Sequence, residues 1–263
     1  MLFLSPSMPT LSVILIARNE SRNIAECVRA AAFADEVIVL DSGSTDDTVD
    51  LARAAGAKVS VAADWQGFGV QKNRALALAT GDWVLSIDAD ERITPQLRQR
   101  IEQAIASPAG HLAFAVNRRS SFCGQYMHHS GWSPDWVVRL FRREAGRFSN
   151  DLVHERVMVD GPVGRLAGEL LHESMRDLES SLDKLDRYST AGARDLQRRG
   201  KRGSLAKALG HGLWAFFRTY VLRRGFLDGS LGFVLAVSVA EGTYYRYLKL
   251  WLLQRSPPVP PPR

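Results

Sequence analysis

Cysteine and long hydrophobic runs are scarce in this sequence. Cys27 and Cys123 are the only cysteines among 263 residues, fewer than a disulfide scaffold or a close-spaced metal motif would use. Their scarcity favours a reducing compartment. No clean apolar stretch reaches about 18 residues, so the sequence predicts no ordinary transmembrane helix. The apolar run 11–16 has no basic segment before it, and we interpret it as a strand rather than a signal peptide.

Glycine is missing from the segment that follows the first predicted strand, ARNESRN at 17–23. Metal-dependent nucleotidyltransferases also use carboxylates on an α/β sheet, but they generally need a glycine-rich basic loop near the first strand to hold a triphosphate. The absence of glycine argues against that class of enzyme. We keep a nucleotidyltransferase only as the alternative to the enzyme class that the motifs below favour.

Acidic residues are few in the last third of the chain. Residues 178–263 hold 15 basic and 6 acidic side chains, net +9, whereas residues 1–177 hold 19 basic and 22 acidic ones, net −3. Such asymmetry indicates an anionic partner for the last third, either nucleic acid or a membrane surface. Because the first 177 residues are net acidic and no recognition motif is present, a non-enzymatic nucleic-acid binder is the less favoured alternative, and we expect no nucleic-acid partner.

The first 106 residues alternate between short apolar runs and amphipathic segments. Strands are predicted over 11–16, 36–40, 58–62 and 83–87, and helices over 20–32, 46–55, 69–79 and 95–106. Ser21 is expected to cap the first helix, and Ser44 or Thr45 the second. This alternation predicts an α/β fold with a mostly parallel sheet and helices on both faces. Residues 112–160 instead alternate in the manner of antiparallel strands.

Acidic residues follow two of the predicted strands. Asp88-Ala89-Asp90 comes directly after the strand WVLSI, and Asp41 follows EVIVL. Ligands of parallel α/β sheets bind at the carboxyl ends of the strands. Paired carboxylates there can bind Mg²⁺ or Mn²⁺, and the cation can also bind the oxygens of a diphosphate. The alternative interpretation is that Asp88 and Asp90 are surface acids that cap the next helix. Asp41 is suited to a base or ribose hydrogen bond, the alternative being turn and cap chemistry alone.

Several segments together resemble family 2 glycosyltransferases with the GT-A fold, a Rossmann-like sheet. They are LSVILIARNE, EVIVLDSGSTDDT, QKNRALALATGDWVLSIDADE, RLFRREAGRF and VHERV, within about residues 10–160. The layout, with RRGFLDGSLGF in the basic C-terminal extension, is similar to that of lipopolysaccharide core β-1,4-glucosyltransferases of Gram-negative bacteria. The resemblance implies an inverting transfer of a hexose, glucose from UDP-glucose, onto a lipid-anchored saccharide such as the lipopolysaccharide inner core.

The resemblance also implies a set of donor-binding and metal-binding residues. The donor-binding residues are Ala17, Arg18, Asn19, Glu20, Asp41, Lys72, Asn73, Arg74, Asp88 and Arg142. Asp90 is expected to hold Mg²⁺ or Mn²⁺ directly, with Asp88 beside it. His154 is expected at the metal or the diphosphate, the alternative being a structural histidine. Arg139 and Arg142 are candidates for the diphosphate, since guanidinium suits phosphate oxygens, or else belong to a solvated strand face.

An inverting transferase needs a general base for the acceptor hydroxyl, and two acids are candidates. Glu155 in LVHER matches a His-Glu pair of the resembling enzymes, and Asp135 in SPDWVVRL lies where other branches carry an acidic base. We place Glu155 first and keep Asp135 open. The aromatic residues Trp132, Trp136, Phe141 and Phe148 are candidates for an acceptor wall, with core packing expected for at least half of them.

The resemblance and the composition divide the chain into three parts. A catalytic domain is expected over 10–177, with a nucleotide-sugar half at 10–107 and an acceptor half at 108–177. A helical extension follows over 178–255, and the proline-rich 256–263 is expected to be disordered.

The extension carries aromatic and basic residues that suit a membrane interface. Its apolar runs 213–222 and 231–240 are too short and interrupted to span a bilayer. We therefore expect peripheral contact with the cytoplasmic face of the inner membrane. Packing on the catalytic domain, packing on a second subunit and re-entrant insertion stay open.

Overall fold

A computed structural model of the protein describes residues 8–149 and 155–255. The described chain forms two compact units. The first unit contains the residues up to Arg118 together with Asp135–His172, and the second contains Arg119–Pro134 and the residues from Glu173 onward. The second unit therefore takes in a segment that the sequence analysis grouped with the acceptor half.

The first unit begins with the expected alternation of strands and helices. The strands are β1 (Leu11–Ala17), β2 (Glu36–Asp41), β3 (Lys58–Val61) and β4 (Trp83–Ser86). The helices are α1 (Ile24–Ala30), α2 (Thr48–Ala54), α3 (Phe68–Leu78) and α4 (Pro95–Ala106). These four strands are parallel in the order β3-β2-β1-β4. The predicted α/β class is confirmed.

Antiparallel strands then extend the sheet and make it mixed. They are β5 (Glu91–Ile93), β6 (Ala113–Phe122), β7 (Gln125–Tyr126), β8 (Asp135–Arg142) and β11 (Val163–Met175). The sheet order is β3-β2-β1-β4-β8-β6-β11-β5, with β7 on β6. A separate ribbon pairs β9 (Gly146–Phe148) with β10 (Val157–Val159).

Side-chain alternation along the parallel strands explains why helices cover both faces of the sheet. Val13 and Leu15 of β1 pack in one apolar cluster with Ile24 and Val28 of α1. Ile14, between them, packs in a second cluster with α3. Successive side chains of a strand point to opposite faces, so α1 and α3 cover opposite sides of the sheet.

The helix caps differ from the sequence prediction. The first helix begins after Asn23, and Ser21 does not cap it. The second helix begins after Asp47 rather than after Ser44 or Thr45. The reason is that the hydroxyl of Ser44 donates to Asp41 instead. These polar residues stabilise the turn between β2 and α2 rather than the helix end.

The second unit is largely helical. Its helices are α5 (Leu178–Arg198), α6 (Leu205–Phe217) and α7 (Gly229–Leu253), with a π-helical turn at Arg218–Leu222 and a 3₁₀ turn at Gly225–Asp228 between the last two. The expected helical C-terminal extension is confirmed. Asp177 and Ser180 form a capping box that begins α5.

One helical segment of the second unit corrects the prediction about membrane spans. Gly225–Leu253 is 29 residues long with a mean hydropathy of 1.3, enough by length and composition to cross a membrane. The apolar run 231–240 looked too short because Glu241 follows it, but the helix continues through Glu241 without a break. Only 28% of its most apolar window is buried.

Candidate functional site

The parallel strands bring the predicted acids to one edge of the sheet in the first unit. Ala17 pairs with Asp41 at the carboxyl ends of β1 and β2. Asp88 lies two residues beyond the end of β4, which is parallel to β1. Asp135 begins β8, which runs antiparallel to β4, and so it lies at the same edge. Strand ends of this kind are the usual ligand-binding edge of an α/β sheet.

Seven side chains at this edge form a chain of alternating charges, here called the charge ladder. Its members, in order of contact, are Glu155, Lys72, Asp88, Arg139, Glu91, Arg118 and Asp135. The sequence analysis identified Glu155, Lys72, Asp88, Arg139 and Asp135 as candidates. It missed Glu91 and Arg118, although Glu91 directly follows Asp90 in the sequence.

Lys72 joins two carboxylates at the first end of the charge ladder. Its Nζ lies 2.9 Å from Asp88 Oδ1 and 2.8 Å from Glu155 Oε1. The side chain of Lys72 is only 4% exposed, and a buried ammonium group requires such partners. The amino group also lies 5.9 Å from the centre of the Phe148 ring.

Arg139 holds the middle of the charge ladder. Its Nη2 donates to Asp88 Oδ2 at 2.7 Å and to Glu91 Oε1 at 2.5 Å. Burial raises the pKa of the fully buried Glu91. Burial alone would also raise the pKa of Asp88, but Arg139 and Lys72 hold it well below its ordinary value. Asp88 is therefore an anion that fixes two cations.

Arg118 and Asp135 form the last pair of the charge ladder. Asp135 Oδ2 accepts hydrogen bonds from Arg118 Nε at 2.9 Å and from Arg118 Nη2 at 2.7 Å. Within the described parts of the chain, Asp135 Oδ1 accepts no hydrogen bond, and the side chain is 39% exposed. This leaves one carboxylate oxygen of Asp135 accessible at the binding edge.

Asp90 is not a member of the charge ladder and pairs with a histidine. Its Oδ2 lies 3.3 Å from Nε2 of His172, on the strand β11 that pairs with β5. A carboxylate and an imidazole this close can share a divalent cation such as Mn²⁺. The sequence analysis missed His172, because it identified no site residue beyond residue 155. Among the described residues no cluster of three or more acidic, histidine or cysteine side chains is arranged for a metal.

The predicted donor residues near β1 and β2 form a connected pair of loops. Asp41 is buried, and its Oδ2 accepts from the backbone N–H groups of Gly43 and Ser44 at 2.9 and 2.8 Å. Asn19 has a φ of 55°, and its Oδ1 accepts from the backbone of Thr45 at 2.8 Å. The loop that carries Ala17, Arg18, Asn19 and Glu20 is thereby fastened to the loop that follows Asp41.

The three remaining predicted donor residues also lie outside the charge ladder. The amide of Asn73 exchanges two hydrogen bonds with the backbone of Phe148. Arg74 forms an ion pair with Asp64 at 2.7 Å. Arg142 pairs with Trp83 at the amino end of β4 and lies over its ring, at the opposite edge of the sheet from Asp88.

The aromatic candidates have different environments. Phe141 and Phe148 are buried in the core of the first unit, with their rings edge to face. Trp136 is partly exposed and lies under Arg165. Trp132 belongs to the second unit and packs against Phe122 there. Two of these four aromatic residues therefore belong to the core. His154, the predicted metal or diphosphate ligand, lies outside the described residues.

The fold and the charged residues at its strand ends are typical of an α/β enzyme that binds its ligand at the carboxyl edge of the sheet. The sequence comparison names the family. The family model described as Glycosyl transferase family 2 matches residues 12–159. The chain therefore belongs to the family 2 glycosyltransferases, and it is a glycosyltransferase.

Two relatives match over most of their length. An uncharacterized glycosyltransferase of Rickettsia typhi is 32% identical over 255 residues, covering 92% of this chain and 87% of the relative. The lipopolysaccharide core biosynthesis glycosyltransferase LpsC of Rhizobium meliloti is 30% identical over 260 residues, covering 92% of this chain and 94% of LpsC.

Two crystal structures of glucosyl-3-phosphoglycerate synthase from Mycobacterium tuberculosis are also similar. The complex with Mn²⁺, UDP-glucose and phosphoglyceric acid aligns with a TM-score of 0.48 and 22% identity, over 75% of this chain and 82% of that one. The complex with Mn²⁺, UDP and glucosyl-3-phosphoglycerate aligns with a TM-score of 0.38 and 32% identity. That alignment covers 42% of this chain and 44% of the solved one.

Proposed function

We propose that the protein transfers a hexose with inversion, glucose from UDP-glucose, onto a lipid-anchored saccharide such as the lipopolysaccharide inner core. The observation that carries this proposal is the Asp90–His172 pair at 3.3 Å beside the charge ladder. Family membership supports sugar transfer. The similarity to LpsC, a lipopolysaccharide core biosynthesis glycosyltransferase aligned over 92% of this chain, supports the acceptor class.

Asp90 and His172 would hold the divalent cation. One carboxylate oxygen and one imidazole nitrogen supply two ligands and leave the remaining positions for donor oxygens and water. Imidazole is a poorer ligand for Mg²⁺ than for Mn²⁺, so the pair favours Mn²⁺. When bound, the cation would neutralise charge on the departing nucleoside diphosphate.

Asp88 has a different role in this proposal from that of Asp90. Its carboxylate holds Lys72 and Arg139, and so it positions two cations toward the donor diphosphate. Arg139 Nε is buried and has no hydrogen-bond partner among the described residues. An unsatisfied buried N–H group costs about 1–3 kcal/mol, and a phosphate oxygen would satisfy it.

Asp135 is the better placed of the two candidate bases. Its side chain is more exposed than that of Glu155, 39% against 17%. Arg118 binds only Oδ2 of Asp135, so Oδ1 is left to accept the proton of the acceptor hydroxyl. Glu155 instead fixes the buried Lys72. We therefore assign proton abstraction to Asp135 and the orientation of Lys72 to Glu155.

The second unit carries a surface suited to a membrane. Nine of its exposed large apolar residues lie within 205–227 and are here called the apolar surface: Leu205, Leu209, Leu213, Trp214, Phe217, Val221, Leu222, Phe226 and Leu227. Arg223 and Arg224 are exposed within the same stretch. Apolar and aromatic groups next to arginines suit the interface of an anionic bilayer. We infer peripheral binding to the cytoplasmic face of the inner membrane.

The test is a donor screen with the purified full-length chain. UDP-, GDP- and ADP-sugars would each be incubated with Mn²⁺ or Mg²⁺ and lipopolysaccharide with a truncated core. The released nucleoside diphosphate is measured for the wild type, Asp90→Asn, His172→Gln and Asp82→Asn. Asp82 is an acid at the other edge of the sheet, so its variant is the matched control.

We expect turnover of UDP-glucose only in the presence of the lipid acceptor and Mn²⁺. Asp90→Asn and His172→Gln should each lose metal-dependent donor binding and activity, while Asp82→Asn retains both. Turnover that survives chelation in the wild type would overturn the metal assignment. Release of pyrophosphate from a nucleoside triphosphate would favour a nucleotidyltransferase instead.

A further inference from the structure

The second unit contains a cavity of about 290 Å³ that the transfer reaction does not use. Its walls come from the ends of β6 and β11, from α5, from α7 and from the turn after α6. All of these residues belong to the second unit. The volume is at the lower end of the range for small-molecule sites.

Three cations from three separate elements line this cavity. Lys184 comes from α5, Arg218 from the π-helical turn and Arg246 from α7. No acidic side chain is among the lining residues within the described chain. A solvated helix face would not bring basic side chains from three elements to one cavity, so the arrangement indicates an anionic ligand.

The two arginines lack partners of their own. In the described chain, the guanidinium groups of Arg218 and Arg246 form no hydrogen bond or ion pair, and both residues are exposed. Lys184 donates one hydrogen bond, to the carbonyl of Ser174 at 2.5 Å, and has further N–H groups to donate. A Cβ at Gly192 would lie 2.7 Å from Arg246 Nε, so a larger residue at position 192 would displace the Arg246 side chain.

The deeper part of the cavity is apolar. Phe122 and Leu235 are almost completely buried and line it together with Trp132 and Met175. Ser189 also lines it and is 1% exposed, whereas Tyr188 beside it is 58% exposed. The lining therefore combines basic side chains, of which Arg218 and Arg246 are exposed, with buried apolar ones and buried serines. A ligand that matches this combination has an anionic head and an apolar body.

We propose that this cavity binds the phosphate head of an amphiphile, with the first part of its apolar chain against Phe122 and Trp132. A phosphate monoester carries about −1.5 to −2 charges at neutral pH and three acceptor oxygens. Two guanidinium groups and one ammonium group match this charge, and guanidinium binds phosphate oxygens in pairs. The proposal does not depend on the transfer reaction.

The test uses soluble probes and the full-length chain. Dihexanoyl phosphatidic acid, dihexanoyl phosphatidylcholine and inorganic phosphate are titrated below micelle-forming concentration and followed by calorimetry. The variants are Arg218→Ala/Arg246→Ala, which removes charge, and Ser238→Phe, which fills the cavity from α7. The matched control is Arg194→Ala/Arg198→Ala, which removes two exposed arginines of α5 that do not line the cavity.

We expect one phosphatidic acid per chain, with affinity lowered at least about tenfold by each cavity variant and unchanged in the control. A tenfold loss corresponds to about 1.4 kcal/mol. Circular dichroism must show equal helicity in all four proteins. If inorganic phosphate binds as tightly as phosphatidic acid, the apolar chain contributes nothing and the amphiphile proposal is wrong. If phosphatidylcholine binds as tightly as phosphatidic acid, the cavity does not recognise the phosphate charge. An equal loss in the arginine control, or no loss in either cavity variant, would overturn the location.

Discussion

Glu91 and Arg139 show at the residue scale what a buried ion pair costs and requires. Glu91 is fully buried, and Oε1 accepts from Arg139 at 2.5 Å while Oε2 accepts from the backbone of Asp88 at 2.9 Å. Two charges removed from water are tolerated only when each satisfies the other. Removing one partner therefore costs more than the pair contributes.

Glu91→Ala should lower the free energy of unfolding by about 1–3 kcal/mol, because Arg139 then keeps Asp88 alone as its ion-pair partner and the backbone N–H of Asp88 loses its acceptor. Glu102→Ala is the matched control: its ion pair with Arg98 is half exposed and should be worth less than about 1 kcal/mol. Urea denaturation of both variants measures the difference. A loss of similar size at both positions would contradict the importance of burial.

Asp135→Asn should lower kcat by about 10²–10⁴-fold, because the amide cannot take the proton of the acceptor hydroxyl. Affinity for the donor sugar should change little, since Asp135 binds Arg118 rather than the donor-positioning Lys72. Steady-state kinetics and donor titration separate these two quantities. Glu155→Gln should weaken donor binding more than turnover; the reverse pattern would return the base assignment to Glu155.

At the element scale, Glu36 ties the parallel strands together at the edge opposite the site. Its carboxylate accepts from Ser12 of β1 at 2.6 Å and from Lys58 of β3 at 2.7 Å. It also accepts from the backbone of Thr80 at 2.7 Å, just before β4. Burial would raise the pKa of Glu36, but these hydrogen bonds lower it from 4.5 to about 2.

Because the pKa of Glu36 is lower in the folded than in the unfolded chain, its contribution to stability is present above about pH 4.5 and lost as pH falls toward 2. Glu36→Gln should be less stable than the wild type by roughly 2–3 kcal/mol at pH 7, and by much less at pH 2.5. Denaturant titration across this range measures it. The matched control is Asp50→Asn, at an exposed acid on α2, whose free energy of unfolding should change with pH as that of the wild type does. If the stability difference between Glu36→Gln and the wild type does not shrink as the pH falls, the link between the Glu36 pKa and stability is ruled out.

At the scale of the whole molecule, the proposed sugar transfer and the proposed membrane binding belong to two different units. The first unit contains the charge ladder and the Asp90–His172 pair. The second contains the apolar surface, where Leu213 alone is 72% exposed. Exposed apolar patches of this extent are typical of an interaction surface.

Leu209→Glu/Leu213→Glu should reduce sedimentation with vesicles of anionic lipid at least about tenfold, because two charges would have to enter the interface. Activity on a water-soluble acceptor fragment should persist, since neither residue belongs to the first unit. Leu78→Glu, at a leucine of the first unit that is 42% exposed, is the control for a general loss of apolar surface. Unchanged vesicle binding together with loss of self-association would assign the surface to a second copy of the chain.

Local patterns in the sequence determined the first half of the fold and much of the site. Apolar runs and helical spacing placed the four parallel strands and their helices within a few residues, and α4 over 95–106. Strand-end topology brought Asp41 and Asp88 to one edge, because parallel strands share their carboxyl ends. These features depend on neighbours in the sequence, so they could be predicted.

Only the tertiary structure decided which side chains meet across the sheet. His172 reaches Asp90 because β11 pairs with β5, and Arg118 reaches Asp135 because β6 pairs with β8. The antiparallel pairing of β8 with β4 places Arg142 beside Trp83 at the opposite edge, whereas Arg139, three residues earlier on β8, reaches Asp88. Antiparallel register over long separations leaves no local signal in the sequence, since it depends on which strands become neighbours. The sequence therefore determined the acids of the site, and the fold decided their partners.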